Sequence, residues 1–156
     1  MPLGRIQSSS ANPSFRQEAT QVLPTGTSSD ASTNDPILNA YLSAYKEKDA
    51  RAYLSLFSQN ADYVDYGVQV HAKIGQLKEE LASSFHREAF RLVFHLFFVS
   101  SDRRFAALQG TYSDSARSGE PTSVPIASIL TIADGKITKE ALYYDGSLFK
   151  RHLYAA

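Results

Sequence analysis

The dipeptide Asp134-Gly135 stands between two β-prone stretches, Ser123–Ile132 and Lys136–Tyr144, and it constrains the fold more than any other feature of the chain. A two-residue hairpin needs positive φ at both central positions, which Asp and Gly tolerate, so two antiparallel strands are expected side by side here. The β-prone pattern extends upstream. Phe90–Val99 and Arg104–Tyr112 are separated by Ser100-Ser101-Asp102, and a Ser/Asp/Gly-rich loop over 113–121 leads into the hairpin. Four such segments in succession predict an antiparallel meander.

The first half of the chain reads as helical. Asn34 or Asp35 can cap a helix with Pro36 in its first turn, and Ile37, Leu38, Tyr41, Leu42, Ala44 and Tyr45 recur at helical spacing as far as Glu47. Asp49 then looks like the cap of a short second helix carrying Tyr53, Leu54 and Phe57. Ile74, Leu77, Leu81 and Phe85 mark a third, with Lys78, Glu79 and Glu80 toward solvent. Residues 61–73, between the second and third helices, are β-prone. Residues 1–34 are rich in Ser, Thr, Pro, Asn and Gly without a sustained apolar period, so they are expected as a disordered tail, with a single domain over 35–156. Helices followed by a meander give an α+β class, with the helices on one face of the sheet.

At 156 residues and 43% hydrophobic, the chain is long enough for one substantial core. Lys plus Arg equals Asp plus Glu at 16 each, so no net field favours nucleic acid or an anionic membrane. No apolar run approaches the ~20 residues of a spanning helix. The absence of cysteine excludes disulfides, thiolate nucleophiles and cysteine-bound zinc, and a cytoplasmic location is expected. His71, His86 and His152 lack metal-ligand spacing, and no phosphate loop, serine nucleophile elbow or HExxH motif is present. Neither a metal nor a cofactor is expected.

The Asp134-Gly-Lys-Ile137 turn, followed by Glu140 and Tyr143-Tyr144-Asp145, resembles the closing strands of the NTF2-like superfamily, especially its SnoaL-like polyketide cyclase branch. That resemblance implies a cone in which three N-terminal helices cover a curved antiparallel sheet. Leu92–Val99 is apolar on both faces, where a sheet with one wet face would alternate. A homodimer through the back of the sheet, the superfamily's common arrangement, accounts for this; burial under the chain's own terminal segments is the alternative.

Ketosteroid isomerase, another NTF2-like enzyme, supplies a residue frame. Its helical segment resembles Tyr41–Ala50 and its first strand resembles Phe57–Asp65, which places Tyr41 on the oxyanion-binding tyrosine and Asp65 on the catalytic base. The second oxyanion donor, an acid there, falls on Ser128, so steroid isomerisation itself is not implied. Asp65 lies between aromatic neighbours that would desolvate its carboxylate and raise its pKa, as a general base requires; otherwise it is a solvated strand end. Scytalone dehydratase offers a second comparison. It implies pocket roles for His95, Tyr66 and Tyr45, although Lys46 replaces the acid beside its helix-one tyrosine. On the last strand Glu140, Leu142 and Tyr144 share a face that the isomerase frame turns inward. Limonene-epoxide hydrolase uses an acid at the position of Leu142, so its water-activating pair does not transfer.

The expected catalytic set is Asp65, His95, Tyr41 and Glu140, with Tyr45, Tyr66, Ser128, Tyr144 and Gln109 binding substrate. The resemblance implies a cofactor-free isomerase or lyase that acts through an enolate on a small apolar carbonyl or polyketide-like molecule. A non-catalytic module that binds a ligand or a protein is the alternative.

Overall fold

The structure is a computed structural model and describes residues 33–149. Three helices, α1 (Pro36–Glu47), α2 (Ala50–Ser55) and α3 (Lys78–His86), cover one face of a curved six-stranded sheet. The strands are β1 (Phe57–Asp65), β2 (Val70–Lys73), β3 (Arg91–Val99), β4 (Phe105–Ser115), β5 (Pro121–Ala133) and β6 (Lys136–Tyr144), in the order β2-β1-β6-β5-β4-β3. The architecture is the expected α+β one. The tail expected over residues 1–34 falls almost wholly on residues 1–32, outside the described part.

Local chemistry sets the boundaries. Asp35 accepts from the Leu38 N–H at 2.9 Å and Asp49 from the Ala52 N–H at 2.9 Å, so each carboxylate caps its helix. Helix α1 ends at Lys48, whose φ of 55° turns the chain directly into the second cap. Ile74–Gln76 forms a 3₁₀ turn ahead of α3. Ala133 pairs with Lys136 across Asp134 and Gly135, which have φ of 51° and 70°, giving the two-residue primed turn expected from the sequence. The 113–121 loop is shorter than its composition suggests, because β4 and β5 stay paired as far as Ser115 and Pro121. Pro125 is tolerated inside β5 because β6 has already ended: its last pair is Tyr144 with Ile126.

Only β1 and β6 run parallel, with Tyr63 opposite Glu140 and Asp65 opposite Leu142. The rest of the sheet is antiparallel. A bulge between Phe94 and Leu96 inserts His95 as an unpaired residue, and Gly110 makes room for it: a Cβ there would stand 2.0 Å from the Val93 carbonyl oxygen. Leu38, Tyr41 and Tyr45 of α1 and Phe85 of α3 fill the concave face against Leu92, Phe94, Leu108, Ile126 and Leu142.

Candidate functional site

Period two decides which side chains enter the cone. Asp65, Leu142, Ser128 and Leu108 are opposite one another across four adjacent strands, and all four are buried. One row along, Tyr63, Glu140 and Leu130 form a second buried line. Two carboxyl groups therefore sit on neighbouring strands of the inner face, at 1% and 0% exposure.

Glu140 is the deeper of the two. The Tyr41 and Tyr53 hydroxyls both donate to its carboxyl, and the Tyr41 oxygen is 3.1 Å from Ser128 Oγ. Burial pushes the Glu140 pKa up to about 7; the two tyrosine donors oppose the rise and the charge of Asp65 adds to it. The same carboxyl, together with burial, holds the hydroxyls of Tyr41, Tyr45 and Tyr53 well above their ordinary range, so these phenols stay protonated donors. Tyr45 lies edge-on to Tyr41, 5.0 Å between ring centres, and stacks on Phe85 at 5.1 Å.

Asp65 faces a narrow cavity of about 30 Å³, room for roughly two waters as it stands. Leu81, Leu92, Ile126 and Leu142 give it apolar walls, Tyr45, Tyr63, Phe85, Phe90, Tyr112 and Tyr144 surround it with rings, and Ser84 completes it. The Asp65 carboxyl accepts from Val68 N–H at 3.2 Å and from the Tyr144 hydroxyl at 3.1 Å. Burial raises its pKa to about 6 against these donors, so it is mostly ionised at neutral pH yet close to its titration. A polyketide-sized ligand enters only if the lining aromatics move.

The expected residues therefore separate into three groups. Asp65, Tyr45 and Tyr144 line the cavity, while Tyr41, Ser128 and Glu140 form the cluster behind it. His95, Gln109 and Tyr66 lie elsewhere, and their pocket placement is corrected. His95 is exposed on the convex face, 3.4 Å from Thr111 Oγ1, because the bulge leaves it on the side away from Phe94. Gln109 pairs with Leu96 and Ala127 and is exposed. Tyr66 is 52% exposed and stacks on Tyr143 at 4.5 Å.

Sequence reasoning missed Tyr53, Tyr63 and Tyr112. Tyr63 was legible, since alternation from Asp65 turns it inward. Tyr112 also donates to Asp114 at 2.9 Å, beside Arg87. Burial pushes the Asp114 carboxyl up, but hydrogen bonds and the Arg87 charge outweigh this and hold it below its ordinary range.

The family model for the SnoaL-like domain matches residues 38–140, from the first turn of α1 to the buried glutamate of β6. The chain belongs to the SnoaL-like family. Among solved structures, this SnoaL-like chain is similar to a ketosteroid isomerase-like protein from Catenulispora acidiphila in complex with trimethylamine, at 19% identity and TM-score 0.62, covering 78% of this chain and 94% of that one. It is also similar to a protein from Pseudomonas putida described as a candidate polyketide cyclase, at 19% identity and TM-score 0.57 over 73% and 92% of the two chains. TerC, co-crystallised with polyporic acid, matches at 17% identity and TM-score 0.58 over 70% and 88%. At these identities the likeness is one of fold. No curated protein matches the chain. Among the described residues no helix is long and apolar enough to cross a membrane, and no cluster of His, Cys, Asp or Glu has the makings of a metal site.

Proposed function

We propose that this SnoaL-like domain is an acid/base enzyme that removes a proton next to the carbonyl of a small apolar substrate, with Asp65 as the base. The supporting observation is the Asp65 carboxyl: buried in an aromatic cavity, close to its titration point, and held by hydroxyl and backbone donors. Tyr45 is the donor for the enolate oxygen, in place of Tyr41, whose hydroxyl is engaged by Glu140. Glu140, Tyr41, Tyr53 and Ser128 act as positioning residues that fix the Tyr45 ring. An enolate so formed can be reprotonated, cyclised or relieved by elimination; polyketide-like carbonyl compounds are the substrate class that the structural neighbours support. The reaction requires no cofactor in this reading, and the protein works as a homodimer through the convex face.

The test is solvent deuterium exchange into small ketones of graded acidity, followed by NMR. Exchange catalysed by wild type is expected to fall at least ~10²-fold in Asp65→Asn. Its rate should rise with pH and level off above the Asp65 titration near 6. Equal exchange in the two proteins would remove the base from the proposal.

The narrowness of the cavity favours a second reading, a non-catalytic module whose cone is filled by its own rings and whose working surface is the sheet. Binding of planar phenols as enolate mimics separates the two. A folded protein that binds none of them supports the module.

A further inference from the structure

The charges and rings of the cavity point to a ligand class beyond carbonyl compounds. No lysine, arginine or histidine is among the residues lining it, and the Asp65 carboxyl meets only neutral donors there. A second acid, Glu140, lies behind Tyr45 and is likewise held by neutral hydroxyls. The described ion pairs lie outside the cavity, at Asp62 and Asp114. Taking a carboxylate out of water without a counter-ion is costly, and a cation entering the space relieves that cost. The rings act in the same direction, because aromatic faces are negative and attract an ammonium group that has shed part of its water.

We propose that this cavity binds a small alkylammonium cation, with the Asp65 carboxylate as counter-ion and the rings of Tyr45, Phe85, Phe90, Tyr112 and Tyr144 as its cage. The proposal rests on the cavity being the ligand site, as above, but not on its being catalytic. A bound cation occupies the space that a carbonyl substrate needs, so it competes with the substrate. The present volume of about 30 Å³ matches the smaller members of the class, and each added methyl group requires the rings to separate further. Protons compete with the cation at Asp65. The groups facing Asp65 are Tyr144 and Glu140 from β6, Tyr63 on its own strand, Tyr45 from α1 and Tyr112 from β4. Of these only Glu140 titrates with Asp65 between pH 5 and 8, and its ionisation strengthens the attraction.

Calorimetry of the full chain at pH 7.5 and constant ionic strength tests this, with methylammonium, dimethylammonium, trimethylammonium and tetramethylammonium chlorides, and tert-butanol as an uncharged match in size. At least one cation is expected to bind saturably, about tenfold or more tighter than tert-butanol. Asp65→Asn should weaken it about tenfold or more, Phe90→Leu by a smaller factor, and the solvent-facing control Asp62→Asn not at all. Equal binding of cation and alcohol, saturable binding that survives Asp65→Asn, or no saturable binding by a protein with native circular dichroism would each overturn the proposal. Deuterium exchange keeps the two readings apart: a chain that exchanges ketone protons but binds no cation overturns only this inference, and one that binds cations without exchange overturns only the enzymatic reading.

Discussion

At the scale of single residues, Asp65 and Glu140 make folding stability depend on pH in an unusual direction. Both carboxyls hold their protons more tightly in the folded chain, with pKa values of about 6 and 7, than the ordinary 3.8 and 4.5. Their contribution is therefore complete below about pH 4 and is lost as pH rises through 6 and 7. For Glu140 alone, the gap corresponds to on the order of 3 kcal/mol. Asp114 has the opposite sign, since its folded pKa is depressed and its contribution disappears in acid. Thermal unfolding followed by circular dichroism should give the highest Tm near pH 5 and a decline toward pH 8, and the pair Asp65→Asn, Glu140→Gln should flatten that decline. A Tm that climbs from pH 5 to 8 would contradict the burial of both acids. Tyr53→Phe leaves one Glu140 oxygen without its donor and should destabilise by about 1–3 kcal/mol, measured by urea denaturation. The acids were legible from alternation along β1 and β6. Tyr53 was legible only as an apolar position of a short helix, because nothing local reveals that its hydroxyl reaches a strand 87 residues away.

At the scale of elements, the caps and the turn carry most of what the sequence disclosed. Asp35, Asp49 and Asp134-Gly135 act through neighbours three residues away or fewer, so a linear reading finds them. Asp35→Ala should cost about 1 kcal/mol in chemical denaturation through loss of the Leu38 N–H partner. The bulge at His95 is the opposite case. Strict alternation from Leu92 and Phe94 turns Phe97 and Val99 outward, yet Phe97 pairs with the buried Leu108 and both pack against the core. One inserted residue restores the face, and its enabling feature, Gly110, belongs to another strand. Gly110→Ala forces a methyl group onto the Val93 carbonyl and should destabilise by about 1–3 kcal/mol in the same assay. The pocket role of His95 came from analogy with a related enzyme; the bulge sets it on the far side.

At the scale of the whole molecule, the convex face is apolar without being covered. Val93, Phe98, Phe105, Ile129 and Tyr143 are each at least 38% exposed, and Phe98, Ile129 and Tyr143 border one shallow groove with Ala107 and Ala127. Such contiguous apolar surface marks an interface. Sedimentation should find the wild-type chain dimeric, and Phe98→Glu combined with Ile129→Glu should yield a folded monomer; a wild-type monomer would return this face to other partners.

The pairing of β1 with β6 has a consequence for the birth of the protein. The strand bearing Asp65 is made early, but its inner neighbour ends at Tyr144, and the hydroxyl that holds the carboxyl belongs to that residue. On the ribosome, the helices and the first hairpin emerge with an acid that has no finished surroundings, and they wait for nearly the last residues of the domain. Contacts so distant in sequence close slowly. A nascent chain halted before β6 should remain open to protease along β1 and the helices, and protection should appear in a single step once Tyr144 has left the exit tunnel.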